Sequence, residues 1–142
     1  NWRALRVRAD AQLGRGKHAE ACRDYDSALA LQPQDDGLLN NLAWLLATSP
    51  EESVRNGKRA VELAEKACEV TKYQAAHILS TLAAAHAETG DFDAARKWSK
   101  KAVALAAEAD KANLRKELES YEANKPWREK FEIGGESNPT EK

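Results

Sequence analysis

The sequence predicts an all-α fold of three antiparallel helix pairs closed by a capping helix, and three observations carry that prediction. Apolar and small residues recur at helical spacing on both sides of one break. Leu79, Leu82, Ala83 and His86 make one stripe, and Phe92, Ala95, Ser99, Ala102 and Val103 make the next. Gly90 suits a left-handed C-terminal cap and Asp91 a following N-cap, so the two helices must fold back on one another. The second observation is a pair of alanines seven residues apart that occurs as Ala21/Ala28, Ala60/Ala67 and Ala95/Ala102. Small residues two turns apart on one face let helices approach closely. Third, the chain is rich in alanine and holds only 7 glycines and 4 prolines in 142 residues, which favours packed helices over sheet. One such pair cannot bury its own apolar face, so the copies are expected to stack.

Trp2 to Leu13 reads as the first helix, ended by Gly14-Arg15-Gly16, although Arg8 and Gln12 are polar where core is expected. Lys17 to Leu31 is the second, stopping before Gln32-Pro33 because proline disfavours helix in the preceding residue. Asp35 or Asp36 caps the third, where Leu38, Leu39, Leu42, Leu45 and Leu46 make the most apolar helix of the chain. A helix apolar around most of its circumference belongs in the centre. Leu39 to Ala60 spans 21 residues against 16 in the flanking units, so five are inserted between the paired helices. Ser49-Pro50-Glu51-Glu52 has the pattern of an N-cap, a first-turn proline and early carboxylates, which predicts a single helical turn closed by Asn56-Gly57. Lys58 to Val70 is the fourth helix, and Thr71-Lys72-Tyr73-Gln74 links it to the third pair. Beyond Ala109, Leu114, Leu118 and Tyr121 form one more stripe, expected to cover the face around Phe92, Val103 and Leu105. Repeat arrays need such a cap with one wet face. Lys125-Pro126 stops it; Trp127, Phe131 and Ile133 are expected to fold back, and 134–142 to be disordered.

Charge excludes some partners. With 22 basic and 23 acidic residues, net −1, the chain offers neither the basic face that nucleic acid needs nor a polybasic membrane patch. No apolar run approaches membrane-spanning length. Cys22 and Cys68 are too few for a disulfide framework and lack metal-ligand spacing. They read as small packing residues, and reduced thiols fit a cytoplasmic setting. Methionine is absent and Asn1 is not an initiator, so a piece of a larger protein is expected.

The spacing resembles the tetratricopeptide repeat, whose motif runs Trp, Leu-Gly, Tyr along one helix and Ala, Phe, Ala, Pro along the next. The third unit offers Leu79, Leu82-Ala83, His86, then Gly90, Ala95, Ser99 and Ala102, with Ala107 in place of proline. The first offers Leu5, Arg8-Ala9, Gln12, then Gly16, Ala21, Tyr25, Ala28 and Pro33. The middle one offers Leu39, Leu42-Ala43, Leu46, then Ala60, Ala64 and Ala67. The resemblance implies a right-handed solenoid over 1–133, with repeats at about 2–35, 36–75 and 76–109 and a cap at about 110–125. The middle unit also resembles repeats of large multi-domain bacterial proteins, where they sit beside catalytic or sensory domains.

No catalytic constellation is found. His77 and His86 lie nine residues apart on one helix and point to nearly opposite faces, and His18 and His86 fill slots that the family gives to aromatics. No phosphate-binding loop or nucleophile elbow occurs, and no cofactor or metal is expected. The resemblance implies a concave face lined by the first helix of each pair. Arg3, Arg6 and Asp10 would come from the first pair, Asn40, Asn41, Trp44 and Thr48 from the second, and His77 and Thr81 from the third. Family members that grip chaperone tails use two lysines, two asparagines and an arginine as a carboxylate clamp. Arg6 and Asn41 can match two members, while Asp10, His77 and Thr81 depart, and Asp10 repels a carboxylate. Two readings are open for Trp44: a binding hot spot, or an anchor packed under the insertion. The expected function is a non-catalytic scaffold that takes a peptide or protein segment in its groove. The alternative is a structural spacer or self-association module within a larger protein.

Overall fold

Each helix begins and ends where local chemistry requires it. The computed structural model describes residues 1–129 and, among them, forms seven helices: α1 Trp2–Gly14, α2 His18–Leu31, α3 Asp36–Thr48, α4 Gly57–Val70, α5 Ala76–Glu88, α6 Phe92–Leu105 and α7 Glu108–Glu122. Asn1, Asp35, Asn56 and Asp91 cap four of them, each side chain accepting a backbone N–H of the first turn. Four helices end in the same left-handed step. At Gly16, Lys72, Gly90 and Asn124 φ is positive, and the next N–H reaches back five residues, as Lys17 N–H to Gln12 O at 2.8 Å and Asp91 N–H to His86 O at 3.0 Å.

The helices pair as α1/α2, α3/α4 and α5/α6, with α7 laid on α6. The repeated alanines lie at the closest approaches: Ala21, Ala28, Ala60, Ala67, Ala95 and Ala102 are all fully buried. α3 and α5 form the centre. Leu38, Leu39, Leu42, Leu45, Ile78, Leu79 and Leu82 are at most 1% exposed, and α3 packs along α5. α1 has no comparable seam with α3; its pair joins the array mainly through α2. Arg8, in a core slot, instead points outward and makes two bonds of 2.7 and 2.8 Å to the Asp24 carboxylate of α2. That guanidinium holds the Asp24 carboxyl below its ordinary range.

The insertion between α3 and α4 is pinned on two sides. Ser49 caps Glu51 N–H at 3.1 Å, and Val54 N–H and Arg55 N–H both close on Glu51 O, so a single turn forms. The buried His18 of α2 shares a 2.8 Å hydrogen bond with Ser49 Oγ, and Arg55 bonds Ser49 O at 2.7 Å. Val54 turns inward beside these contacts.

The cap differs in detail from expectation. Leu114 joins the main core and Tyr121 is fully buried against Ala83, Ala87 and Ala95, but Leu118 is only half-buried and Leu105 is 43% exposed. The buried stripe of α7 runs Leu114, Glu117, Tyr121. After α7 the chain turns at Asn124 and comes back as an extended strap. Trp127 packs on the Tyr121 cluster, Arg128 pairs with Glu88 at 2.8 Å, and Glu129 N–H donates to Thr48 O at 3.0 Å. Phe131, Ile133 and 134–142 lie outside the described residues.

Candidate functional site

Because α1 stands away from α3, the concave side opens into a cavity of about 580 Å³. Four helices supply its wall. α1 gives Asp10 and Leu13; α3 gives Asn40, Asn41, Trp44 and Leu45; α5 gives His77, Ser80 and Thr81; α7 gives Asp110, Asn113, Leu114 and Glu117. Tyr25 of α2 closes the floor between α1 and α3.

The floor is a hydrogen-bonded unit. The Tyr25 hydroxyl donates to Asp10 Oδ1, with Asn41 and Arg6 beside it. Burial and the Asp10 carboxylate push that phenol well above its ordinary range, so it stays a donor. On the opposite wall Glu117 is 9% exposed, and Ser80 Oγ donates to its Oε1 at 2.6 Å. Burial, with Glu129 adding to it, raises the Glu117 carboxyl to about 7, against the pull of the Ser80 bond. Asn40 Oδ1 is buried without a partner. The lining includes no lysine or arginine.

Six of the nine sequence-derived candidates meet in this cavity: Asp10, Asn40, Asn41, Trp44, His77 and Thr81. Trp44 is half-buried, its inner edge on the main core and its outer face on the cavity. The insertion is held by His18, Arg55 and Val54 instead. The other three candidates do not line the cavity, although Arg6 stands behind its floor beside Tyr25. Arg3 lies over the Trp2 ring at 4.6 Å, and Arg6 leans toward Gly37 at the start of α3. Thr48 is fully buried, its hydroxyl donating to Trp44 O at 2.7 Å beneath the strap.

Sequence reasoning missed the contribution of α7. Glu117 had a legible signal: it follows Leu114 by three residues and precedes Tyr121 by four, so it sits on the apolar stripe. Burial raises both free thiols, Cys68 to about 11. Among the described residues no group of His, Cys, Asp and Glu is arranged to hold a metal, and no helix is long and apolar enough to cross a membrane.

No family model matches the sequence, and no curated protein matches it. Among solved structures, the chain is similar to the Sgt2 TPR domain from Aspergillus fumigatus. The TM-score is 0.64 at 18% identity, covering 99% of this chain and 93% of that one. This likeness shows the fold: a tetratricopeptide-type solenoid of three helix pairs and a capping helix.

Proposed function

We propose that the chain is a non-catalytic scaffold that takes an extended segment of a partner protein into its concave groove. The observation that supports this most is the cavity itself. There a half-buried tryptophan, the unpaired Asn40 Oδ1 and apolar walls converge from four helices. The strap lends support, since it is an extended chain lying on the same face and held by a backbone hydrogen bond and an ion pair. Part of the same reading is that the chain works beside other domains of a larger bacterial protein, in the cytoplasm.

The spacer or self-association reading looks for an apolar packing face on α1. Val7 is 67% exposed, but the exposed Arg3, Arg8 and Asp10 lie near it on α1 and Trp2 is half-buried, so charged residues interrupt the apolar surface of that helix.

Peptides selected from a random display library on the intact chain test the groove reading. Trp44→Ala is expected to weaken their binding by at least about thirtyfold, roughly 2 kcal/mol. Because only the inner edge of Trp44 is buried, the same change should cost about 1–2 kcal/mol of stability, less than a core tryptophan. Melting curves and titrations on that variant separate the two effects. Unchanged affinity of the folded variant for every selected peptide would defeat the groove reading.

A further inference from the structure

The groove's chemistry narrows its ligand, an inference that rests on the groove reading above. We infer that the bound segment carries a lysine or arginine whose cation enters the cavity lined by Asp10, Asp110 and Glu117.

The cavity presents the carboxylates of Asp10, Asp110 and Glu117 and the buried, unpartnered Asn40 Oδ1, and its lining holds no lysine or arginine. Apart from Asp10 Oδ1, which the Tyr25 hydroxyl already fills, these atoms are open acceptors; a ligand that satisfies them must donate, and lysine and arginine are the side chains that donate several bonds from a charged head. Glu117 sharpens the requirement. It is nine-tenths buried, its Oε1 is met by the neutral Ser80 hydroxyl, and no cation pairs with it among the described residues. A carboxylate out of water without a counter-charge is costly, and a ligand cation removes that cost. The apolar part of the wall fits the rest of such a side chain. Trp44, Leu13 and Leu114 line the same cavity, so an aliphatic stem has surface to lie on while its charged head meets the acids. An indole face beside the cation adds attraction of its own.

The chain already shows this mode of contact once. Arg128 of the strap sits on Glu88 at 2.8 Å, while the backbone next to it is hydrogen-bonded to Thr48 at the end of α3. The strap thus fills the end of the concave face near Thr48 and Glu88. The cavity at Asp10, Trp44 and Glu117 is the part it leaves open.

Protonation supplies a second readout. The titratable groups around Glu117 are Asp10 on α1, Tyr25 on α2, His77 on α5, Asp110 and Tyr121 on α7 and Glu129 on the strap. With the Glu117 carboxyl raised to about 7, its ionised fraction rises about tenfold from pH 6 to pH 8, and cation affinity follows that fraction.

The test uses three pools of fluorescein-labelled nonapeptides with random flanks, identical except for a central lysine, norleucine or glutamate, read by fluorescence polarisation on the intact chain. The lysine pool is expected to bind at least tenfold tighter than the norleucine pool, and the glutamate pool weakest. Glu117→Gln and Asp10→Asn should each reduce the lysine advantage below threefold, with melting curves confirming that both variants fold. Lysine-pool affinity should rise about tenfold between pH 6 and pH 8, persist in His77→Gln and flatten in Glu117→Gln. Norleucine or glutamate pools that bind as well as lysine, with loss in Trp44→Ala, would overturn the basic ligand and leave the groove reading standing. Failure of all three pools would overturn both.

Discussion

Glu117 shows how burial turns a single carboxyl against stability. A carboxyl whose pKa stands at about 7 when folded, against 4.5 when exposed, holds its proton more tightly in the folded chain between those values. Stability therefore falls as pH rises from 4.5 to 7, and the full penalty is present above 7. The shift corresponds to about 3 kcal/mol. Glu117→Gln keeps an acceptor for Ser80 and has no charge to desolvate. It should be about 3 kcal/mol more stable than the parent at pH 8, and within about half a kcal/mol at pH 4. Urea titrations of both proteins at the two pH values check this. Equal stability at pH 8 would mean that the carboxylate is solvated.

Among the elements, the helix ends are where sequence and backbone agree least evenly. Three of the four left-handed caps hold glycine or asparagine, the residues suited to positive φ. The fourth holds Lys72, followed by Tyr73, both at φ 56°. The closing bond from Tyr73 N–H to Cys68 O at 2.8 Å is the same as at the other caps; what is added here is tertiary, the Tyr73 ring packing 5.3 Å from Trp98 on α6. Lys72 itself is exposed and brings no such contact. Lys72→Gly should thus raise stability by about 1 kcal/mol, whereas Gly90→Ala should lower it by a similar amount, with φ at 86° and open space around it. Thermal melts of the two variants, moving in opposite directions, are the expected result. The α4/α5 junction is tight in a different way. A Cβ on Gly57 would come within 3.0 Å of the Glu88 and Thr89 side chains and 3.2 Å of the Glu88 backbone, so the insertion must end in glycine to let α4 start there.

Over the whole molecule, the decisive feature is unequal stacking. α3, α4, α5 and α6 form a continuous packed block, α7 closes it, and the α1/α2 pair joins mainly through α2. That asymmetry makes the cavity. The strap ties the far end, joining α7 back to α3 through Trp127, Arg128 and Glu129. Trp127→Ala should release it. The Glu129 amide, held by Thr48 O, should then exchange its hydrogen at least about tenfold faster, while amides in the middle of α3 and α5 keep their protection. Exchange that does not change would mean the backbone bond and the Glu88 pair hold the strap without the indole.

The fold was written in periodicity, which is local. Helical stripes, three alanine pairs, Gly90 and Asp91 place six helices, and the missing solvation of their apolar faces forces them to stack. Even the five-residue insertion was countable, and its single turn followed from Ser49 and Pro50. The groove was half legible. Asn40, Asn41, Trp44, His77 and Thr81 fall on one face because a helix repeats every 3.6 residues. The place of Glu117 on the apolar stripe of α7 was legible, but its burial depends on where α7 lands against α5, 37 residues away at Ser80. The strap and the stand-off of α1 are of the same kind. They depend on contacts between segments distant in sequence, whose energies come from shape and desolvation after the helices have met, and only the tertiary structure decides them.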